Sequence, residues 1–335
     1  MTTDTATGTD PVPATRSSEV AVALTGGTLG AGRRMRNTAA SVLMVLAFLL
    51  AATPLVVMGV QVFSQGIDAV TSGSWWTAPI PETGRADLAD NEALQDLGFG
   101  DTSGGDSSAS EVVLGMAPAI VGTLLTVLGA SVLAIPLGIL GAVYLHEYGK
   151  KGRLARLIRF MTDVMTGVPS VVMGVFVYTV WVLPRGVDGK SALAASLALA
   201  CLMLPIVVRS TEEMLKLVPD NLREASAALG TRTWKTTVKV VLPAALAGIT
   251  SGSLLAVARA AGETAPVVFV IGFVTTTNLG FLGQNTTLSA QIYSQQQNGG
   301  ALSTELAWGA ALTLVGIVLV LTLVARGISR RFQIG

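Results

Sequence analysis

The sequence predicts an all-α integral membrane protein with six transmembrane helices. Three observations predict it. Of 335 residues, 51% are hydrophobic and 13% charged, whereas a soluble globular domain carries about 25% charged residues. The apolar residues gather in runs that reach about 20, the length that crosses a hydrocarbon core of about 30 Å. The segments of about 10 alternating residues that mark a spanning barrel do not occur.

The elements follow in chain order. Residues 1–32 are rich in Thr, Ala, Gly and Pro and lack periodicity. With the basic residues Arg33, Arg34 and Arg36 after them, they predict a disordered cytoplasmic tail over 1–37. The run from Thr38 to Phe63 predicts the first span. It is too long for a signal-peptide core and its basic flank lies deep in the chain, so it is expected to stay. Residues 64–111 predict a polar outer loop, in which Glu82 to Glu111 hold eight acidic residues and one basic residue. Trp75 and Trp76 suit an interfacial aromatic position. A core body over 112–326 is expected to hold five more spans, at about 117–145, 161–183, 191–208, 246–274 and 304–325, with a long inner loop at 209–245. Residues 327–335 form a tail. Pro54, Pro136, Pro169, Pro205 and Pro266 fall in or at the edges of spans, where membrane helices tolerate them as kinks. Glycines such as Gly122, Gly129, Gly138, Gly141, Gly174 and Gly252 suit close helix packing.

Orientation follows from the basic residues. With the N-terminus inside, cytoplasmic segments hold Arg16, Arg33, Arg34 and Arg36, then Lys150, Lys151, Arg153, Arg156 and Arg159. The next inner loop adds Arg209, Lys216, Arg223, Arg232, Lys235 and Lys239, and the tail adds Arg326, Arg330 and Arg331. These are 18 of the 22 Lys and Arg. The outer loops hold Arg85, Arg185 and Lys190, and Arg259 lies within the fifth span. Both termini are therefore expected in the cytoplasm.

Composition also excludes. A net charge of +1 gives no field that favours nucleic acid. Cys201 and His146 are single, so internal disulfides, thiolate clusters and polyhistidine metal sites are out, and no cofactor or metal is expected. Gly98, Gly100, Gly104 and Gly105 lack the Lys-Ser or Lys-Thr that follows a phosphate-binding loop. A membrane enzyme would need clustered catalytic groups that the spans do not carry.

The inner loop 209–245 is patterned. Leu222 to Leu229 favours helix and stops at Gly230, which suits a helix C-terminus because glycine accepts positive φ. A second stretch, Thr231 to Val241, ends at Leu242-Pro243. Two short helices around a tight turn would make a knob able to dock in a groove of a soluble partner. Glu224-Ala225-Ser226, Gly230, Val240, Leu242 and Pro243 resemble the EAA loop of ABC-importer permeases at matched spacing. Ser226 stands where that pattern has a third Ala, and Val240 where it has Ile. The alternative is a generic amphipathic interfacial helix.

Two further stretches narrow the resemblance. Tyr144 to Gly149, Arg153 to Phe160 and Gly167-Val168-Pro169-Ser170 are similar to the second-to-third span region of phosphate permeases. Ala258-Arg259-Ala260-Ala261-Gly262-Glu263-Thr264-Ala265-Pro266 is similar to the fifth-span string of both phosphate permease subunits. Its Ala-Pro, with Thr287 to Tyr293, resembles the PstA type more than the PstC type. The resemblance covers about 110–335. It implies the type I importer permease architecture, a coupling role for the loop, a PstC-like second permease, a PstB-like ATPase dimer, a PstS-like extracytoplasmic phosphate-binding protein and a lipid surround in the cytoplasmic membrane. ATP hydrolysis would lie on the ATPase, not on this chain.

The residues themselves carry a physical argument. A charge at membrane depth costs at least about 2.5–3.5 kcal/mol. Arg259 and Glu263, four apart, would share a helix face, and the planar guanidinium suits two oxygens of an oxyanion. Thr264 adds a hydroxyl. Arg209 would end the fourth span, as an interfacial anchor or as part of an anion path. Arg259–Glu263 could equally be a structural pair. Two other functions stay open: a permease for another oxyanion such as sulfate or molybdate, and an ion-coupled secondary transporter, which would need repeated broken helices.

Overall fold

A computed structural model describes residues 31–81, 113–149 and 152–332. Residues 1–30 of the tail expected over 1–37, the acidic stretch from Glu82 to Glu111, Lys150, Lys151 and the last three residues lie outside the described residues. The chain divides into two units, Met1–Val60 and Gln61–Gly335.

Helix α1 runs Ala31–Thr71. It starts inside the segment expected as tail and continues past Phe63, because residues flanking an apolar run with no helix breaker prolong its hydrogen-bond ladder. In the first unit its side chains from Val42 to Val60 form an exposed apolar surface.

The second unit continues with α2 (Ala117–Val143), α3 (Arg153–Gly167), α4 (Ser170–Val177), α5 (Ala192–Leu217), α6 (Asp220–Ala228), α7 (Thr233–Thr236), α8 (Leu242–Ala261), α9 (Ala265–Val270), α10 (Leu288–Asn298) and α11 (Ala301–Phe332). Wider i→i+5 turns prolong α2 over Tyr144–Tyr148 and α4 over Tyr178–Val182, and join α7 to α8 over Thr237–Val241. Among the described residues five helices are long and apolar enough to cross a membrane, or six if the bent pair of α3 and α4 counts as one span.

Two spans expected as continuous are broken. Between α3 and α4 the axis bends by 107°. Val168 is extended there at ψ 131°, since a residue before proline is driven out of the helical region. The fifth span stops at Ala261 and resumes at Ala265 with Pro266 in its first turn. The Pro266 ring would clash with the carbonyl four residues back if the helix ran on.

Small residues build the core. Ala130 and Ala134 of α2, Ala194, Ala195 and Ala198 of α5, and Ala256 and Ala260 of α8 are buried in one cluster. Lipid tails give no hydrophobic drive for helix association, so close backbone approach supplies the contact. Gly138 faces Val207 so closely that a Cβ would lie 2.7 Å from its Cγ1. Ser196 donates to the Thr126 carbonyl at 3.0 Å. In a separate cluster Trp75 is fully buried with Met116, Leu288 and Leu306, and its indole donates to Thr313 Oγ1 at 2.9 Å. The belt position expected of Trp75 is thus wrong: its ring is part of the packing, while Trp76 is 49% exposed.

Candidate functional site

The two helix breaks open on one cavity. Its volume is 420 Å³, and it is lined by Thr166, Val168, Pro169 and Ser170 from the first break, by Leu202, Pro205 and Ile206 of α5, and by Arg259 and Glu263 at the second. Gly174 lets α4 seat against α9: a Cβ there would lie 2.6 Å from Pro266 Cα.

Arg259 sits in the last turn of α8, and Glu263 lies beyond the Gly262 cap. Their ion pair, Nε to Oε1 at 3.5 Å, therefore spans a helix end rather than one continuous helix face. Their side chains are 69% and 21% exposed. The guanidinium has donors left for an oxyanion, and the carboxylate holds it from one side. Ser289 at the start of α10 donates to the Glu263 carbonyl at 3.3 Å, which ties α10 to the break. Thr264 is the N-cap residue of α9; its carbonyl accepts from Val267 and Val268, and its side chain is not among those lining the cavity.

Arg209 stands apart. The helix expected to end there runs on to Leu217. Arg209 faces Asp163 at 3.7 Å, both side chains being mostly exposed. It lines a second cavity of 220 Å³ with Arg159, Glu212 and Lys216.

The loop over 209–245 folds as two short helices about a turn. Gly230 has φ 72°. Its N–H donates to the Ala227 carbonyl and that of Thr231 to the Ser226 carbonyl, the paired bonds of a Schellman ending. Ser226 is buried; its hydroxyl meets that of Thr236 at 2.8 Å and also that of Thr231. Glu224, Ala225 and Pro243 are exposed, while Val240 and Leu242 are half-buried. Leu229 is 84% exposed and Trp234 51%, an apolar pair beside the turn.

Sequence reasoning missed Arg223. Its guanidinium donates to Glu147 Oε1 at 3.0 and 3.3 Å. It also donates to the carbonyls of Leu215 at 3.0 Å and Val218 at 2.8 Å, and to Asp220 Oδ1 at 2.9 Å. The sequence signal was only an Arg beside the Glu-Ala-Ser string, with its partner 76 positions away.

Residues 134–334 match the family described as binding-protein-dependent transport system inner membrane component. The chain is 42% identical over 294 residues to a phosphate transport system permease protein PstA 1 of Mycobacterium tuberculosis (strain CDC 1551 / Oshkosh), covering 88% of each. It is 43% identical over 217 residues to a phosphate transport system permease protein PstA of Yersinia pestis, covering 63% of this chain and 71% of that one. Its fold is like that of a chain in the inward-facing MetNI methionine ABC transporter, with TM-score 0.51 at 20% identity over 63% of this chain and 91% of that one. With that match, those relatives and its membrane-crossing helices, the chain belongs to the binding-protein-dependent transport system inner membrane component family.

Proposed function

We propose that this chain is the permease subunit of an ATP-driven importer that moves inorganic phosphate across the cytoplasmic membrane by alternating access. The observation that carries the reading is Arg259, a cation with free donors on a cavity formed by two broken helices. A guanidinium fork binds two oxygens of a tetrahedral oxyanion at once. Extensive identity to proteins named as phosphate permeases supports phosphate as that anion. Glu263 holds Arg259 when the anion is absent, and Thr264 adds a hydroxyl near the break.

The knob from Glu224 to Gly230, with Val240, Leu242 and Pro243 behind it, docks on the ATPase subunit. Exposed Leu229 and Trp234 support that reading, since apolar side chains beside a rigid turn fit a groove. The partners proposed are a PstC-like permease, a PstB-like ATPase dimer that hydrolyses the ATP, and a PstS-like binding protein outside. Both termini face the cytoplasm. Arg209 serves the anion path only at its inner end.

The test is radiolabelled phosphate uptake, with yield of the complex checked in parallel. Arg259→Gln should abolish uptake while the complex assembles. Arg259→Lys keeps the charge but loses the fork, and should retain partial uptake at best. Wild-type uptake in Arg259→Gln, or full rescue by the swap of Arg259→Glu with Glu263→Arg, would refute the transport role and leave a structural pair.

A further inference from the structure

Arg223 does more than neutralise a neighbour. It is 18% exposed and Glu147 8%. One guanidinium reaches three separate elements. It lies on α6, the helix that carries Glu224, Ala225 and Ser226. It caps carbonyls at the end of α5 through Leu215 and Val218. It also grips Glu147 in the last turns of the second span with two of its nitrogens. Glu147 is in turn held by His146, Nδ1 to Oε1 at 2.9 Å. Asp220 on α6 is the other carboxylate on Arg223.

The neighbouring contacts differ in kind. Val218 and Val241 at the ends of the loop are buried with Ala142, Leu145 and Leu215. Apolar packing of that sort resists separation but fixes no direction. A charge-assisted fork fixes both distance and angle. A push on α6 is therefore delivered through Arg223 to the second span. That span is seated on α5 along Gly138 and Ser196, so the two move together.

We propose that Arg223 is a positioning residue: a pin that transmits motion of the α6 knob into the second and fourth spans through Glu147. The proposal rests on the reading of α6 as the element that docks on the ATPase. Arg223 touches neither substrate nor ATP; it sets how much transport each hydrolysis yields.

The experiment uses the whole transporter, this chain with its permease, ATPase and binding-protein partners, in proteoliposomes, and reads phosphate imported per ATP hydrolysed. With Arg223→Ala the complex should assemble and hydrolyse ATP while that ratio falls at least tenfold. The KM for phosphate should stay unchanged as the maximal rate drops, because the anion site is intact. Glu147→Gln leaves the caps on Leu215 and Val218 in place and should lower the ratio in the same direction. The double variant should be no worse than Arg223→Ala alone, as expected of one shared interaction. If Arg223→Ala fails to assemble, Glu147→Gln decides. A wild-type ratio in Glu147→Gln, or effects that simply add in the double variant, overturns the pin. A separate arm places a cysteine at Leu229 in a Cys201→Ser background and asks for thiol cross-linking to the ATPase. No cross-link in the otherwise unaltered complex overturns the docking reading and the pin with it. A cross-link together with an unchanged ratio overturns the pin alone.

Discussion

Gly230 is the residue where backbone conformation and the proposed docking meet. Its φ of 72° lies in the left-handed region, and no atom crowds the place a Cβ would take. The penalty for a side chain is thus purely conformational, about 1–3 kcal/mol for a strained residue. Gly230→Val should relieve that strain by opening the turn and losing the bond from Thr231 to Ser226. ATP hydrolysis then persists only as uncoupled turnover: the expected outcome is lost phosphate uptake, with the ATPase either still active or dissociated, read by uptake and pull-down together. Normal uptake with a firmly bound ATPase would count against the turn as the coupling element. The turn itself was legible, because a glycine after a helix-favouring run has few other uses. The pair Arg259–Glu263 was legible as a pair, but its helix-face geometry was not, since Pro266 acts backward on Gly262 and a count of four hides the break. Arg223–Glu147 was beyond reach, as no periodicity links positions so far apart.

At the level of the element, glycines decide which helices can touch. In α2 the two ends of the range are Gly122 and Gly141. A Cβ on Gly122 would run into the Thr286 carbonyl and the Asn285 side chain, both in the buried stretch before α10. A Cβ on Gly141 would meet Val208 at 3.6 Å, an ordinary contact. Gly122→Ala should therefore cost about 1–3 kcal/mol as overpacking, while Gly141→Ala should be neutral or gain up to about 1 kcal/mol of helix propensity. Thermal melting of the purified protein separates them; equal melting temperatures would deny the close approach of α2 to the segment before α10. Hydropathy made the spans legible because each is a run of apolar residues. It could not reveal the 107° bend, because a window average is blind to direction. Pro169 marked a kink there without giving its size.

For the molecule as a whole, the distribution of Lys and Arg makes a statement about sidedness that thiol chemistry can check. With Cys201→Ser as background, a cysteine at Lys235 should be labelled by an impermeant reagent only from the cytoplasmic face; labelling from outside intact cells would reverse the orientation. The exposure of Arg259 has a consequence for the life of the protein in a cell. A guanidinium 69% exposed within an apolar segment costs about 2.5–3.5 kcal/mol or more if lipid is what meets it. A chain made in excess of the second permease proposed for it is then an orphan that carries its own marker for quality control. Pulse-chase should find the lone chain turned over several times faster than the assembled one. Arg259→Leu should lengthen the life of the orphan and leave that of the complex unchanged, so the charge proposed to serve the anion would also enforce matched subunit dosage.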